Sequence, residues 1–378
     1  MAILNNPFDE YAPLEPTEQM KRNEICWCRS GRKWKNCHRL RSDKSPLPLS
    51  AFNARFYEEA KTTKFCLHPS APAGCSDTVC AAHTIQKRTG LIALAEDRHV
   101  LSARDSSPAS GSNLLQKVGI KKASTFYGFC ADHDNRTFKP AESADQPNEN
   151  VAFLLSYRAL CFEVYTKKIG LQTLHFCRDN MDRGQAFPEQ ARIQQLLAAS
   201  IFSTSLGYAE HLRSKDDWDA ALLSGDRSNF SWSFVKFDGL LPIATSGVFI
   251  PEFDFEGNQL QALDAPRGSL ALLGFNILPI SGKTCAVFGW LDKKPQNARF
   301  LETLHAVPES HLASALIQFG FDTCDNLFVN PSWWDQLDKE KKTYLERNLR
   351  GSTPGSKWPT GLIPNDPPVL ELPVIART

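Results

Sequence analysis

The sequence predicts an α+β protein in three parts: a small N-terminal metal knob, a Cys/His-rich middle module, and a larger C-terminal domain whose helices precede an antiparallel sheet. Three observations predict it. Seven of the eleven cysteines fall in the first 130 residues, interleaved with histidines. From residue 149 the chain changes to apolar residues at helical spacing. Between 230 and 291 it changes again, to short apolar runs separated by turn residues. The expected divisions are 1–45 for the knob, 50–148 for the middle module, 149–350 for the C-terminal domain and 351–378 for a proline-rich tail.

Residues 1–20 read as a loose arm and 21–44 as a Cys/basic segment. "SDKSPLPLS" at 42–50 reads as a linker, because Pro46 and Pro48 block regular structure. Residues 51–62 predict a short helix. The stretch 64–142 has few long apolar faces and needs staples to hold it. "ENVAFLLSYRALCFEVYTKKIGLQ" places Val151, Leu154, Leu155, Phe162, Tyr165 and Ile169 on one helical face. A second helix is expected over 188–212, with Pro188 favoured in its first turn. "FSWSFVKF" alternates like a strand, and "SLALLGFNILPI" and "TCAVFGWL" flank a hairpin turn at "SGK". "SGKT" resembles the end of a phosphate-binding loop, but Ile277 stands where that loop needs glycine. "PESHLASALIQF" and "PSWWDQLDKEKKTYLERNL" then return to helix, and the tail is expected to be extended.

The formal charge is +1, so no global field marks a nucleic-acid or membrane binder, and local charge must decide. The N-terminus lacks the basic and apolar regions of a signal peptide, which predicts a cytoplasmic location. The longest apolar runs, such as "LALLGFNIL", are too short to span a bilayer. In a reducing cytosol, clustered cysteines point to metal rather than disulfides. Cys161, Cys177, Cys285 and Cys324 are scattered and expected in the core.

In "ICWCRSGRKWKNCHRL", Cys26 and Cys28 form one half of a four-donor set and Cys37 and His38 the other. Tetrahedral zinc needs four such donors, and so short a segment needs the metal to fold. The pattern C-x-C-x8-C-H resembles the SEC-C zinc motif, known from the preprotein-translocase ATPase and as an appendage on many bacterial proteins. Ser30, Gly31, Lys33 and Lys35 fit the resemblance as well. Residues 20–45 hold nine Lys/Arg against Glu24 and Asp43. One part of that charge offsets the third thiolate of a zinc site. The surplus suits nucleic acid or an acidic protein face, with Trp27 and Trp34 available for stacking on bases.

The second cluster offers Cys66, His68, Cys75, Cys80, His83, Cys130 and His133. The preferred zinc set is Cys66, Cys75, Cys130 and His133, with His68 or Cys80 able to replace one of the first pair. The spacing of Cys130 and His133 suits the first turn of a helix, and the whole arrangement suits a treble clef. "AAHTIQK" and "GFCADHDNRTF" resemble the first strand and closing segment of HNH-type endonucleases. That resemblance implies His83 as the general base, Asn135 or Asn113 as the asparagine, and Mg²⁺ or Mn²⁺ as the catalytic cation. Asp134 and Glu142 are candidate ligands for such a cation. His83 has two other readings, zinc ligand and core residue, and His99 has no evident partner. The expected function is metal-dependent cleavage of DNA or RNA, with a role in defence against foreign nucleic acid. Its rival is a non-catalytic, zinc-stabilised protein that binds nucleic acid or a protein, through the knob or the C-terminal domain.

Overall fold

The computed structural model describes residues 11–103, 114–263, 269–323, 326–351 and 362–378. Asn113 and Cys324 lie outside them. In chain order the elements begin with α1 (Leu49–Thr62), β1 (Val79–His83), a short α2 (Ile92–Leu94), β2 (His99–Ser102), β3 (Gln116–Gly119), β4 (Thr125–Cys130) and α3 (Ala131–Glu142). Two long helices follow, α4 (Glu149–Asn180) and α5 (Phe187–Ser224). Then come β5 (Phe230–Phe237), β6 (Ile243–Phe249), β7 (Leu273–Ile280), β8 (Lys283–Leu291), α6 (Pro295–Ala306) and α7 (Glu309–Thr323). The last are β9 (Leu327–Val329), α8 (Pro331–Gln336), α9 (Lys339–Gly351) and β10 (Val374–Arg377). No helix among the described residues is long and apolar enough to cross a membrane.

The chain packs as two compact units whose boundaries differ from the four expected segments. Met1–Lys64 groups with Val164–Ser214, and Phe65–Glu163 groups with Lys215–Thr378. α4 and α5 each cross a boundary between the units, so each helix contributes to both. The linker at 42–50 lies inside the first of these units.

In the first unit the knob folds back on itself. Ile25 bridges Lys33, Cys26 N–H donates to the Arg32 carbonyl (2.9 Å), and Trp34 N–H donates to the Glu24 carbonyl (2.8 Å). Trp27 is buried between His38 and Phe187, with ring centroids 4.5 and 6.1 Å away. This corrects the expectation that Trp27 stacks on bases: the small knob needs its apolar area inside. Phe52 of α1 packs with Cys177 and Leu197.

His211 on α5 sits 5% exposed, and its Nδ1 lies 2.7 Å from the Gly207 carbonyl. Burial, then the charge of Lys167, lowers its pKa to about 3, against the opposing Gly207 carbonyl. An unfolded histidine titrates near ~6.5, so the unfolded chain takes up the proton first. The stability contribution is full above that pH and is lost as pH falls toward 3. By pH 5 the loss is about 2 kcal/mol. His211→Gln should flatten this acid limb in denaturant titrations between pH 7 and 5, and an unchanged slope would refute the assignment.

In the second unit β1 and β4 pair as a two-stranded antiparallel ribbon. The other eight strands form one sheet in the order β10-β5-β8-β7-β6-β9-β2-β3, antiparallel throughout. β2 and β3 come from the expected middle module yet extend this sheet through β9. Strand β7 is buried along its whole length, so both faces are covered, and its run is apolar apart from Asn276, whose Oδ1 accepts from the Ser246 hydroxyl (2.7 Å). Phe300 and Phe319 from α6 and α7 cover one face, packing on Phe249, Phe275 and Phe288. On α4, Ser156 seats over Gly274 and Gly289, which are partners across β7 and β8. A Cβ at either glycine would lie 2.6 Å from the Ser156 side chain, so only glycine permits the approach.

The hairpin at "SGK" is present. Ser281 (φ 49°) and Gly282 (φ 78°) are both left-handed, the two-residue turn that matches strand twist. The helical stretch "PSWWDQLDKEKKTYLERNL" forms two helices, α8 and α9. Leu337 is extended (ψ 139°), and Asp338 accepts from Lys341 N–H at 2.8 Å, capping a new helix. The end of the tail is extended, and β10 pairs with β5 and forms the edge of the sheet.

Candidate metal centres

Centre one is Cys26, Cys28, Cys37 and His38, all buried, with their ligand atoms within 4.8 Å of one another. Cys26 and Cys28 flank a turn completed by the left-handed Arg29 and Gly31. A single helical turn at Trp34–Asn36 returns Cys37 and His38 to them. His38 Nδ1 lies 3.2 Å from Cys26 Sγ and 3.3 Å from Cys37 Sγ, and the Cys28 and Cys37 sulfurs are 3.5 Å apart. Zinc–sulfur bonds of about 2.3 Å and zinc–nitrogen bonds of about 2.0 Å put tetrahedral donors roughly 3.5–3.8 Å apart. The donor set and its spacing therefore fit zinc within a few tenths of an ångström. The Ser30 hydroxyl lies 3.2 Å from Cys28 Sγ and 3.3 Å from Cys37 Sγ, within hydrogen-bond reach of both.

Centre two is Cys66, Cys75, Cys130 and His133, again within 4.8 Å of one another. The sulfurs of Cys66, Cys75 and Cys130 lie 3.5, 3.5 and 3.4 Å from His133 Nδ1. Cys130 ends β4 and caps α3, its sulfur accepting from His133 N–H, and His133 stands one turn on. Burial raises the Cys130 pKa, but the backbone N–H groups of His133 and Ser76 outweigh it and bring it down to about 7. Leu67 N–H donates to the Gly128 carbonyl (2.8 Å), which lays the Cys66 segment along β4. The left-handed Gly74 (φ 69°) turns the chain into Cys75.

The two alternative ligands are placed elsewhere. His68 stacks flat on His133, with centroids 3.9 Å apart and planes 6° apart, so it backs a ligand rather than replacing one. Cys80 lies outside both clusters, and Asp134 is among its electrostatic neighbours. Burial, then that carboxylate, pushes its thiol up to about 11.

The residues expected to cleave phosphodiesters are only partly brought together. His83 ends β1, half-buried, with Nε2 buried and unpartnered among the described residues. Burial lowers its pKa, and its electrostatic neighbours include Lys87, Arg158 and Glu142. Asp134 and Glu142 reach the same neighbourhood from α3, but both carboxylates bind Arg158, at 3.4 and 2.8 Å. Arg158 is 2% exposed, and its guanidinium lies 4.0 Å over the Phe138 ring. The cation between the two acids is thus the chain's own. Asn135 is exposed on α3, and no hydrogen bond ties it to this group. His99 starts β2, its Nδ1 2.8 Å from the Asp97 carbonyl, on the sheet rather than the ribbon.

Sequence reasoning missed Arg158, although a lone arginine inside "LLSYRALCFEV" is a legible sign of a buried ion pair. It also missed Arg41 and Asp182, which stand behind centre one. Only a long-range contact marks Asp182. Comparison with curated proteins found no match, and neither did comparison with solved structures. The model of the SEC-C motif matches residues 22–40, which places the Cys/His cluster of centre one in a zinc-binding motif.

Proposed function

We propose that this is a non-catalytic nucleic-acid-binding protein, held together by two structural zinc centres and binding through the SEC-C knob. The observation that carries it is the knob's surface. Lys21, Arg22, Lys33, Lys35 and Arg39 are all exposed, and none of their side-chain charges has an ion-pair partner among the described residues, Lys21 donating to the Glu24 carboxylate only through its backbone N–H. The fold gathers several of them. Lys35 N–H donates to the Arg22 carbonyl (3.1 Å), and Lys33 bridges Ile25. Half-buried Trp34 stands between Lys33 and Lys35, where a base can stack. Such clustered, unpaired cations suit phosphates, whose neutralisation releases counterions.

The zinc centres read as structural because each supplies four protein donors and leaves no open position. The ribbon of β1 and β4 leading into α3 supports the treble-clef reading of centre two. Against an endonuclease stands the ion pairing of Asp134 and Glu142 with Arg158, which commits both candidate ligands for a catalytic cation. The test is fluorescence anisotropy on single-stranded and duplex oligonucleotides across a salt series. Replacing Arg22, Lys33 and Lys35 with alanine should reduce the slope of log K against log salt by about 2–3, since each phosphate contact contributes ~0.7–0.9. Zinc content should not change. An unchanged slope would leave an acidic protein as the knob's partner, and cleavage with Mg²⁺ or Mn²⁺ that His83→Ala abolishes would overturn the non-catalytic reading.

A further inference from the structure

Behind centre one lies a buried polar group that no motif spacing announces. His38 presents Nδ1 to the sulfurs of Cys26 and Cys37 and turns Nε2 to Asp182 Oδ2 at 2.7 Å. Asp182 follows α4 and is 144 residues away in sequence. Its other oxygen accepts from Arg41 at 2.8 Å. Arg41 also donates to the Asp179 carbonyl (2.6 Å) and reaches Cys37 Sγ at 3.5 Å. The three side chains of His38, Arg41 and Asp182 are at most 2% exposed.

A buried carboxylate costs several kcal/mol unless it is paired. This one is matched at both oxygens, by an imidazole N–H and a guanidinium. Zinc with three thiolates and a neutral imidazole carries one net negative charge, and Arg41 is the cation placed against it. A carboxylate on the distal nitrogen of a metal-bound histidine fixes its tautomer and ring orientation and raises its basicity.

We propose that Asp182 and Arg41 are positioning residues for the zinc of centre one, with Asp182 locking His38 as an Nδ1 ligand and Arg41 offsetting the thiolate charge. Zinc loading of the motif is then linked to the folded turn after α4, rather than being a property of residues 22–40 alone. The proposal rests on zinc at centre one and is independent of what the knob binds.

Chelator competition on the full chain tests it, because centre two serves as an internal reference. Asp182→Asn keeps the shape and removes the charge. It should weaken one of two zinc equivalents about 10–100-fold and leave the other unchanged. At saturating zinc the far-UV circular dichroism should match wild type, which a merely structural role would not give. The cobalt-substituted protein should show altered d–d absorption for one equivalent only. Arg41→Met should also weaken the same equivalent. Wild-type affinity in both variants would overturn the proposal. Should Asp182→Asn not fold, ¹⁵N NMR of the wild-type His38 ring decides the matter: Nδ1 must carry the metal and Nε2 the proton, and the reverse arrangement would overturn it.

Discussion

Cys130→Ser is expected to lose one of two zinc equivalents and to melt the ribbon of β1 and β4 together with α3. The sulfur of Cys130 is a donor to centre two and also caps α3 by accepting from His133 N–H. What the metal holds together is small. An isolated two-stranded ribbon is marginal in water, and α3 follows it directly. Structural zinc contributes about 10–16 kcal/mol of apparent binding energy in small modules. That is comparable with the ~5–15 kcal/mol total stability of a domain, so its loss cannot be absorbed locally. Metal analysis should find one equivalent instead of two, and hydrogen exchange should show protection lost across residues 65–83 and 125–142. Cys161→Ser is the control, since Cys161 is fully buried on α4 and belongs to neither cluster. It should keep both equivalents. A Cys130→Ser protein that retains two zincs and wild-type exchange would show that centre two is only a packing group.

Arg158→Met should destabilise the second unit by about 3–5 kcal/mol, because it leaves two partly buried carboxylates facing each other without a cation. Burial raises the Asp134 pKa, and Glu142 raises it further, while Arg158 opposes both. Removing the guanidinium therefore tips Asp134 toward the protonated form and adds repulsion that Glu142 cannot escape. It also removes the contact with the Phe138 ring. Adding Asp134→Asn and Glu142→Gln to Arg158→Met should recover most of the loss, since no unpaired charge then remains. Urea titration of the single and triple variants checks this. Were Arg158→Met as stable as wild type, the two acids would be answering to some other cation. Stabilisation of the wild type by Mg²⁺ would identify it and revive the endonuclease reading.

Both effects depend on how far apart in sequence the partners lie, which is also what divided the legible from the illegible. Centre one was readable because its four donors sit within 13 residues, where backbone geometry alone brings C-x-C back to C-H. The helix-start spacing of Cys130 and His133 was readable for the same local reason. The long apolar stretches also announced α4, the strands β7 and β8 and the turn at Ser281–Gly282, since period and turn chemistry are local properties.

Everything that turned on long-range packing needed the tertiary structure. Local spacing favoured Cys66 and Cys75 but left His68 and Cys80 open, because the decision rests on which segment lies along β4 and which residue stacks on His133. Nor could it show that Trp27 faces inward, or that β2 and β3 join a sheet formed mostly by residues beyond 230. The roles of Asp134 and Glu142 were decided by Arg158, which arrives from a different helix. Asp182 is the extreme case: its chemistry is that of any aspartate until the fold sets it 2.7 Å from His38, out of water, where its charge must be answered.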